Sequence, residues 1–315
     1  MKKARNVLNK KIHFGNKNKD AQKYYAQAAE VYLQSNMFPA AGDAYCKSAW
    51  CYEQMGESTK AANNYSLASE AYLQDTLFDE TKEAYSKSMD ALQKASQIYT
   101  SNGQTAQAAR KEKEIADRLS EESMMDVDVL HLAIEAYERA IDHFTFQGSY
   151  ATANSCMEKI AYIYIKIKHY KEASQAWKEL LNAEWNTSNS TTGGNSLIRH
   201  VESKYMFYIL LCKLASLNND PSEEDLELFW MDMEAMGDRG QNFGKSREFE
   251  LLVGVYQAFK QKDLKVFLRV VKKTLEVLKM EDPAKETLLF VRKKLENAIS
   301  AAFIAEDEDG EIDLT

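Results

Sequence analysis

The sequence is poor in the two residues that most often interrupt regular structure. Its 315 residues include only 12 glycines and 3 prolines, namely Pro39, Pro221 and Pro283. Glycine and proline mark turns and end helices, so a chain with so few of them has few enforced breaks. These low counts predict a protein that is almost entirely α-helical, and its length provides ample material for a sizeable core.

Cysteine pairs and long apolar runs are also missing. The four cysteines, Cys46, Cys51, Cys156 and Cys212, are scattered and form no Cys-x-x-Cys pair. The lysine-rich start (MKKARN) has no apolar secretory core. The longest apolar run, residues 205–212 (YMFYILLC), is too short to span a bilayer. We therefore expect a soluble, cytoplasmic protein whose thiols are reduced and buried.

Motifs typical of enzymes are absent from the sequence. It has neither phosphate-binding loop pattern, GxxxxGK[S/T] or GxGxxG, and no GxSxG nucleophile elbow. The five histidines are dispersed, and none has the spacing of a helical metal site. Asp142 and His143 come nearest to an acid-base pair, but adjacent residues on a helix point in different directions. We expect no catalytic residue, no metal and no cofactor, so any chemistry belongs to a partner.

The formal net charge of -8 is unevenly distributed. Residues 305–315 (AEDEDGEIDLT) carry six acids and no base, whereas residues 260–294 carry eleven Lys or Arg against five Asp or Glu. Without the acidic end, the body of the chain is close to neutral. A near-neutral body with a basic zone and an acidic tail favours protein partners over nucleic acid.

Turn signals recur at regular intervals along the chain. Steps of 20 residues separate Asn36, Gly56 and Thr76, and steps of 47 and 45 separate Gly56, Gly103 and Gly148. This period is typical of antiparallel helix pairs, each helix about 15 to 18 residues long, stacked as a solenoid. We predict an all-α fold: a right-handed, tetratricopeptide-like (TPR-like) solenoid of helical hairpins, capped by a C-terminal helical bundle.

Alanine and tyrosine occur together in many of these helices, as in residues 82–86 (KEAYS) and 134–138 (IEAYE). A small residue lets two helices approach, and a neighbouring aromatic ring fills the adjacent gap. The small-residue role is assigned to Ala29, Ala41, Ala44, Ala61, Ala68, Ala84, Ala95, Ala109, Ala140 and Ala153. The filling role is assigned to Tyr32, Tyr45, Tyr65, Tyr72, Tyr85, Tyr99, Tyr137 and Tyr162. An aromatic ligand-binding stripe is the alternative, and the regular recurrence of the tyrosines favours packing.

The spacing of the turn signals and the local composition divide the chain into five parts. They are a short basic N-terminal segment (1–19), the solenoid (20–181), a flexible polar loop (182–196), the final hairpins with the C-terminal bundle (197–304) and the acidic tail (305–315). Residues 124–131 are interpreted as a longer connection between hairpins. Residues 264–278 form an amphipathic helix with a basic outer face, and a last helix runs from 285 to about 304.

Several segments, in order, resemble the soluble NSF attachment proteins of the alpha type. They are residues 37–49 (MFPAAGDAYCKSA), 60–62 (KAA), 98–110 (IYTSNGQTAQAAR), 133–138 (AIEAYE), 153–161 (ANSCMEKIA), 170–173 (YKEA), 205–212 (YMFYILLC), 246–248 (SRE) and the acidic ending with DLT. The resemblance covers nearly the whole chain and rests on the order of these segments. It implies an adaptor that wraps the four-helix SNARE bundle left after membrane fusion, recruits the hexameric ATPase NSF and stimulates SNARE disassembly.

The same resemblance assigns roles to particular residues. The family's basic SNARE-contacting positions fall on Arg110, Lys159, Arg199, Lys204 and Arg247. The penultimate Leu314, with Asp313 beside it, matches the position through which the family stimulates NSF. SNARE bundles are acidic, so cations on a long helical surface would supply attraction and steering.

Two places depart from the family pattern. Where relatives have a lysine before the cysteine of residues 153–156, this chain has Ser155, which weakens the expected hold on the partner there. Relatives also have a longer first helix and an apolar, membrane-dipping loop. Here residues 10–19 (KKIHFGNKNK) offer only Ile12 and Phe14 among lysines. We therefore expect weak, peripheral membrane contact, partly electrostatic in origin.

A TPR-type peptide-binding scaffold or co-chaperone is the alternative function. Such clamps cluster Lys, Arg and Asn in successive repeats, whereas the candidate cations here spread along the chain. A gamma-type attachment protein is a further alternative, although the acidic DLT ending favours the alpha type. Binding to a folded bundle but not to isolated peptides would separate the adaptor from the scaffold.

Overall fold

The computed structural model describes residues 1–10, 15–75, 82–122, 126–190, 196–240 and 242–309, apart from the side chains of 75, 82, 122, 184–190, 196–200 and 302–309. In these ranges the chain is all-α, with no strand. The helices are α1 (Lys2–Asn9), α2 (Lys17–Gln34), α3 (Phe38–Gln54), α4 (Ser58–Asp75), α5 (Lys82–Ser101), α6 (Thr105–Glu122), α7 (Val127–Phe146), α8 (Tyr150–Lys166), α9 (Tyr170–Ser190), α10 (Ser196–Ser216), α11 (Glu223–Arg239), α12 (Arg247–Lys260), α13 (Leu264–Val277) and α14 (Asp282–Asp309). A 3₁₀ helix spans Phe243–Lys245.

The chain forms two compact units, one comprising Met1–Met157 and the other Glu158–Thr315. In the first unit, consecutive helices pack against each other from α1 to α5, and α6 packs on α7. In the second unit, α9 packs on α10, α12 on α13, and α14 returns against α10. The packing of sequence neighbours confirms the predicted all-α fold of helical hairpins.

The same turn ends six of the helices. Asn36, Gly56, Gly103, Gly148, Lys168 and Lys262 all have positive φ. In each turn the next residue donates its N–H to the carbonyl five residues earlier, as Met37 does to Tyr32 (2.8 Å) and Ser149 to Phe144 (2.8 Å). This is the Schellman cap, which satisfies carbonyls at the end of a helix. The predicted turn positions are confirmed at every site except residues 75–76, since residue 76 lies outside the described ranges.

The predicted alanine stripe forms the contacts between helices. All ten assigned alanines are buried, as are six of the eight tyrosines, while Tyr32 and Tyr162 are half-buried. Gly42 of α3 shows how close the approach is, because a Cβ there would lie 2.5 Å from the Tyr72 ring. Only glycine admits the ring at this point.

The buried tyrosines also have polar partners. Tyr72 donates its hydroxyl to Asp43 (2.8 Å) and Tyr137 donates to Asp117 (2.5 Å), each on the neighbouring helix. A buried hydroxyl requires such a partner, whereas phenylalanine would fill the gap without fixing its neighbour. The pairing of alanine with tyrosine is therefore explained by close packing joined to hydrogen bonding between helices.

The helix ends differ from the sequence prediction at four places. Residues 2–9 of the predicted N-terminal segment form α1, whose Ala4 packs on α2. Helix α7 begins at Val127, capped by the Asp126 carboxylate, inside the predicted connection. Helix α9 continues to Ser190, through much of the segment predicted as a loop, and α14 runs to Asp309, into the predicted acidic tail. Polar composition favours loops, but neither Gly nor Pro interrupts residues 182–190 or 305–309, so both helices continue through these polar stretches.

Candidate functional site

Arg110 lies on α6 in the first unit, and its side chain is exposed. Its neighbour Lys111 is held by Glu70 of α4 (2.8 Å) and Glu114 (3.1 Å). Arg110 makes no ion pair with any residue the structure describes. Its guanidinium is therefore available to an acidic partner, unlike that of the adjacent lysine.

Lys159 has the same character in the second unit. It is exposed on α8 and makes no ion pair within the described part of the chain. Ser155 is exposed one helical turn earlier. Residues four apart share a helix face, so Lys159 has an uncharged serine as its neighbour on this side.

Lys204 differs from these cations because it is engaged inside the second unit. Its Nζ lies 3.3 Å from Glu158 Oε2 and 3.6 Å from Glu281 Oε1. It also lies over two aromatic rings, 5.4 Å from the Tyr162 centroid and 5.9 Å from that of Trp177. Burial lowers the pKa of Lys204, but its contacts with Tyr162, Glu158 and Glu281 raise it by more, so the ammonium stays charged.

Glu281, immediately before α14, completes this cluster. It accepts hydrogen bonds from the hydroxyls of Tyr162 (2.5 Å) and Tyr208 (2.7 Å). Burial raises the pKa of Glu281, but these two hydrogen bonds and the charge of Lys204 lower it by more. The carboxylate is thus ionised near neutral pH, and it ties the start of α14 to α8 and α10. We call Lys204, Glu158, Glu281, Tyr162 and Tyr208 the Lys204 cluster.

Arg247 lies at the start of α12 and is exposed, paired with Glu250 three residues on (2.9 Å). An exposed pair of this kind contributes little and is easily exchanged for a partner's carboxylate. The residues on either side of Arg247, Ser246 and Glu248, line one cavity of about 460 Å³ together with Lys204. The second unit therefore brings the Lys204 cluster close to the segment that bears Arg247.

The remaining predicted residues are only partly visible or lie outside the described structure. Arg199 is on α10, and its side chain is not among those described. Ile12, Phe14, Asp313 and Leu314 fall outside the described residues. Next to the first pair, the Lys17 ammonium donates to the carbonyl of Lys10.

The histidines and cysteines of the described ranges have ordinary structural surroundings. No three His, Cys, Asp or Glu side chains there come together as metal ligands would. His143 hydrogen-bonds with Ser96 of α5 (3.4 Å). Burial raises the pKa of Cys51 and Cys156 to about 11, so both thiols stay protonated at neutral pH. None of the helices described is both long enough and apolar enough to cross a bilayer.

Exchanging Lys204 for methionine is expected to lower the stability of the protein. The change leaves Glu158 and Glu281 without their cation, which should cost about 1–2 kcal/mol of unfolding free energy. Lys159→Met should leave stability within about 0.5 kcal/mol, because Lys159 is exposed. Urea unfolding followed by circular dichroism measures both. Equal stabilities for the two variants would show that the Lys204 cluster does not stabilise the fold.

These observations define a helical-hairpin protein with exposed cations, such as Arg110 and Lys159, that make no ion pair among the described residues. The chain belongs to the soluble NSF attachment protein (SNAP) family, which matches residues 1–296. This is a family of attachment proteins rather than of enzymes.

Curated relatives agree with this assignment. The chain is 23% identical to beta-soluble NSF attachment protein of Bos taurus over 279 residues, covering 88% of this chain and 84% of the relative. It is 24% identical to alpha-soluble NSF attachment protein of Vitis vinifera over 295 residues, covering 94% and 91%. A shorter match, 29% over 128 residues and 41% and 40% of the two chains, is to vesicular-fusion protein SEC17 of Coprinopsis cinerea.

Proposed function

We propose that this protein is an adaptor of SNARE disassembly. It binds the four-helix SNARE bundle that remains after membrane fusion, recruits the NSF ATPase and stimulates it to separate the bundle. The observation that carries the proposal is the family match across residues 1–296. The names of the relatives, which refer to NSF attachment and to vesicular fusion, support it.

The bundle-binding role belongs to the exposed cations. Arg110 and Lys159 are exposed and without ion pairs among the described residues, and Arg247 has only a surface pair. Such cations accelerate association with an acidic partner and make binding sensitive to salt. Arg199 is assigned to the same role by its position in the sequence. Lys204 is assigned mainly to holding the second unit together, because its ammonium is already engaged.

Titration of the protein with a folded SNARE bundle and with the separate SNARE peptides tests the proposal. The adaptor binds the folded bundle and not the peptides, and the affinity falls as salt rises from 50 mM to 300 mM. The alternative, a TPR-type peptide scaffold or co-chaperone, predicts the reverse preference. Binding of the isolated peptides in preference to the folded bundle would therefore favour the scaffold.

Membrane contact belongs to the segment between α1 and α2. Ile12 and Phe14 supply the apolar residues. The exposed lysines Lys2, Lys3 and Lys10 precede them in the sequence. Each cation near an anionic lipid surface contributes about 1 kcal/mol at most. In flotation with anionic liposomes, Phe14→Ser should reduce the bound fraction about twofold, whereas Phe146→Ser, at an exposed position on α7, should not. An unchanged bound fraction for Phe14→Ser would show that Phe14 does not contribute to membrane binding.

A further inference from the structure

Helix α13 has an apolar face that the described chain leaves largely uncovered. Its stripe comprises Phe267, Leu268, Val271 and Leu275, the spacing of one face of a helix. Of these only Phe267 is buried, while Leu268 is 42% and Leu275 43% exposed. An amphipathic helix normally buries such a stripe, so this one has the form of a contact surface without its partner.

Helix α14 supplies the second wall of a groove along this stripe. Leu288 lies at its base, and Leu289, 59% exposed, lies at its edge. The groove has a volume of about 570 Å³ and is lined chiefly by carbon atoms. We call it the α13–α14 groove, lined by Phe267, Leu268, Val271, Lys272, Leu275, Glu276, Lys285, Leu288, Leu289 and Arg292.

The charged residues at the groove are mostly basic. The charged residues that line the groove are three bases, Lys272, Lys285 and Arg292, and one acid, Glu276. Lys285 and Arg292 have exposed pairs with Asp282 and Glu296 on their own helix, which contribute little. Lys272 has no ion pair within the described ranges. The groove therefore offers an apolar floor with cationic edges, which complements an acidic amphipathic segment.

We propose that the α13–α14 groove binds one amphipathic α helix of a partner protein. The apolar stripe from Phe267 to Leu275 is about 12 Å long, which matches two turns of a helix. The partner's apolar residues, spaced i, i+4 and i+7, enter the groove, and its flanking Glu or Asp residues meet Lys272, Lys285 and Arg292. The lining of this groove includes none of the cations assigned to the SNARE bundle.

A labelled synthetic helix of 16 residues tests the proposal by fluorescence anisotropy with the full chain. The probe carries Leu at i, i+4, i+7 and i+11, Glu at the flanking positions and Ala elsewhere. A second probe replaces every Glu with Lys. The acidic probe is expected to bind with a Kd of about 10–100 μM at low salt, and the basic probe at least tenfold more weakly.

Two variants locate that binding. Leu275→Glu, in the groove, should weaken the acidic probe at least tenfold, and Lys272→Glu should weaken it about threefold. Leu228→Glu is the matched control, because Leu228 is 53% exposed on α11 and does not line the groove. Circular dichroism establishes that each variant is folded. If Leu275→Glu is not, Lys272→Glu combined with Arg292→Glu gives the same test through charge alone.

Three outcomes would overturn the proposal. The acidic probe could fail to bind saturably, both probes could bind equally, or Leu275→Glu could bind as the unaltered chain does. Sedimentation of the chain alone tests whether a second copy occupies the groove. If the chain self-associates and Leu275→Glu abolishes this self-association, the groove is assigned to a second copy. Failure of the SNARE-bundle titration leaves this test unaffected, since the probe contacts other residues.

Discussion

Reversing two charges together, Arg110→Glu and Lys159→Glu, is expected to weaken binding of the folded SNARE bundle by about 10- to 100-fold. Both side chains are exposed and make no ion pair among the residues described, so neither change breaks an internal contact. Each reversal replaces an attraction with a repulsion toward an acidic partner, worth about 0.7–1.4 kcal/mol. Most of the loss should appear in the association rate and should shrink at high salt.

A charge-matched pair of substitutions controls for the change in net charge. Lys171→Glu and Lys273→Glu alter two other exposed lysines, on α9 and α13, by the same amount. This pair should change bundle affinity by less than about threefold, because long-range effects are screened. Equal losses for the two pairs would mean that net charge, and not these two positions, determines binding.

The substitution Trp177→Ala is expected to destabilise the protein by about 3–5 kcal/mol. Trp177 is fully buried. Its ring stacks on Tyr208 with centroids 4.7 Å apart and meets the edge of Tyr162 at 5.1 Å. Removing it leaves a cavity beside the Lys204 cluster, which the surrounding rings cannot fill. The urea midpoint, followed by circular dichroism, should fall accordingly.

Two further substitutions separate packing from hydrogen bonding at this position. The indole Nε1 of Trp177 has no partner among the described residues, so Trp177→Phe loses no hydrogen bond and should cost less than Trp177→Ala. Trp50→Ala on α3 is the exposed control, since Trp50 is 45% accessible, and it should change stability by under about 1 kcal/mol. A small effect of Trp177→Ala would show that packing of the Trp177 ring contributes little to the stability of the protein.

Local features of the fold could be predicted from the sequence because they depend on neighbouring residues. The turns at Asn36, Gly56, Gly103 and Gly148 carry residues suited to positive φ, and the structure places a Schellman cap at each. The buried alanines follow from helical spacing in the same way. The end of α9 at Ser190 is harder to predict, because the helix continues through a run of Asn, Thr and Ser to within three residues of Gly193 and Gly194.

Charged residues inside the protein could not be predicted from the sequence. Glu112 stands in the run Lys111 to Glu114, which looks like a solvated face, yet it is fully buried and paired with Arg139 of α7 (2.6 Å). Lys204 stays a predicted partner-binding residue, and its pairing with Glu281, a residue far along the chain, is a feature that the sequence does not predict. Such pairs depend on tertiary packing, which no local pattern encodes.

We propose that this protein couples the SNARE bundle to NSF. NSF-driven disassembly of a preformed bundle, comparing the intact chain with Leu314→Ala, tests this proposal. We predict that the intact chain supports disassembly, and that Leu314→Ala binds the bundle equally well but loses most of the disassembly rate. Ile312→Ala is the matched control and should retain activity. If the intact chain neither bound the bundle nor raised ATP hydrolysis by NSF across several SNARE sets, the adaptor account would be contradicted.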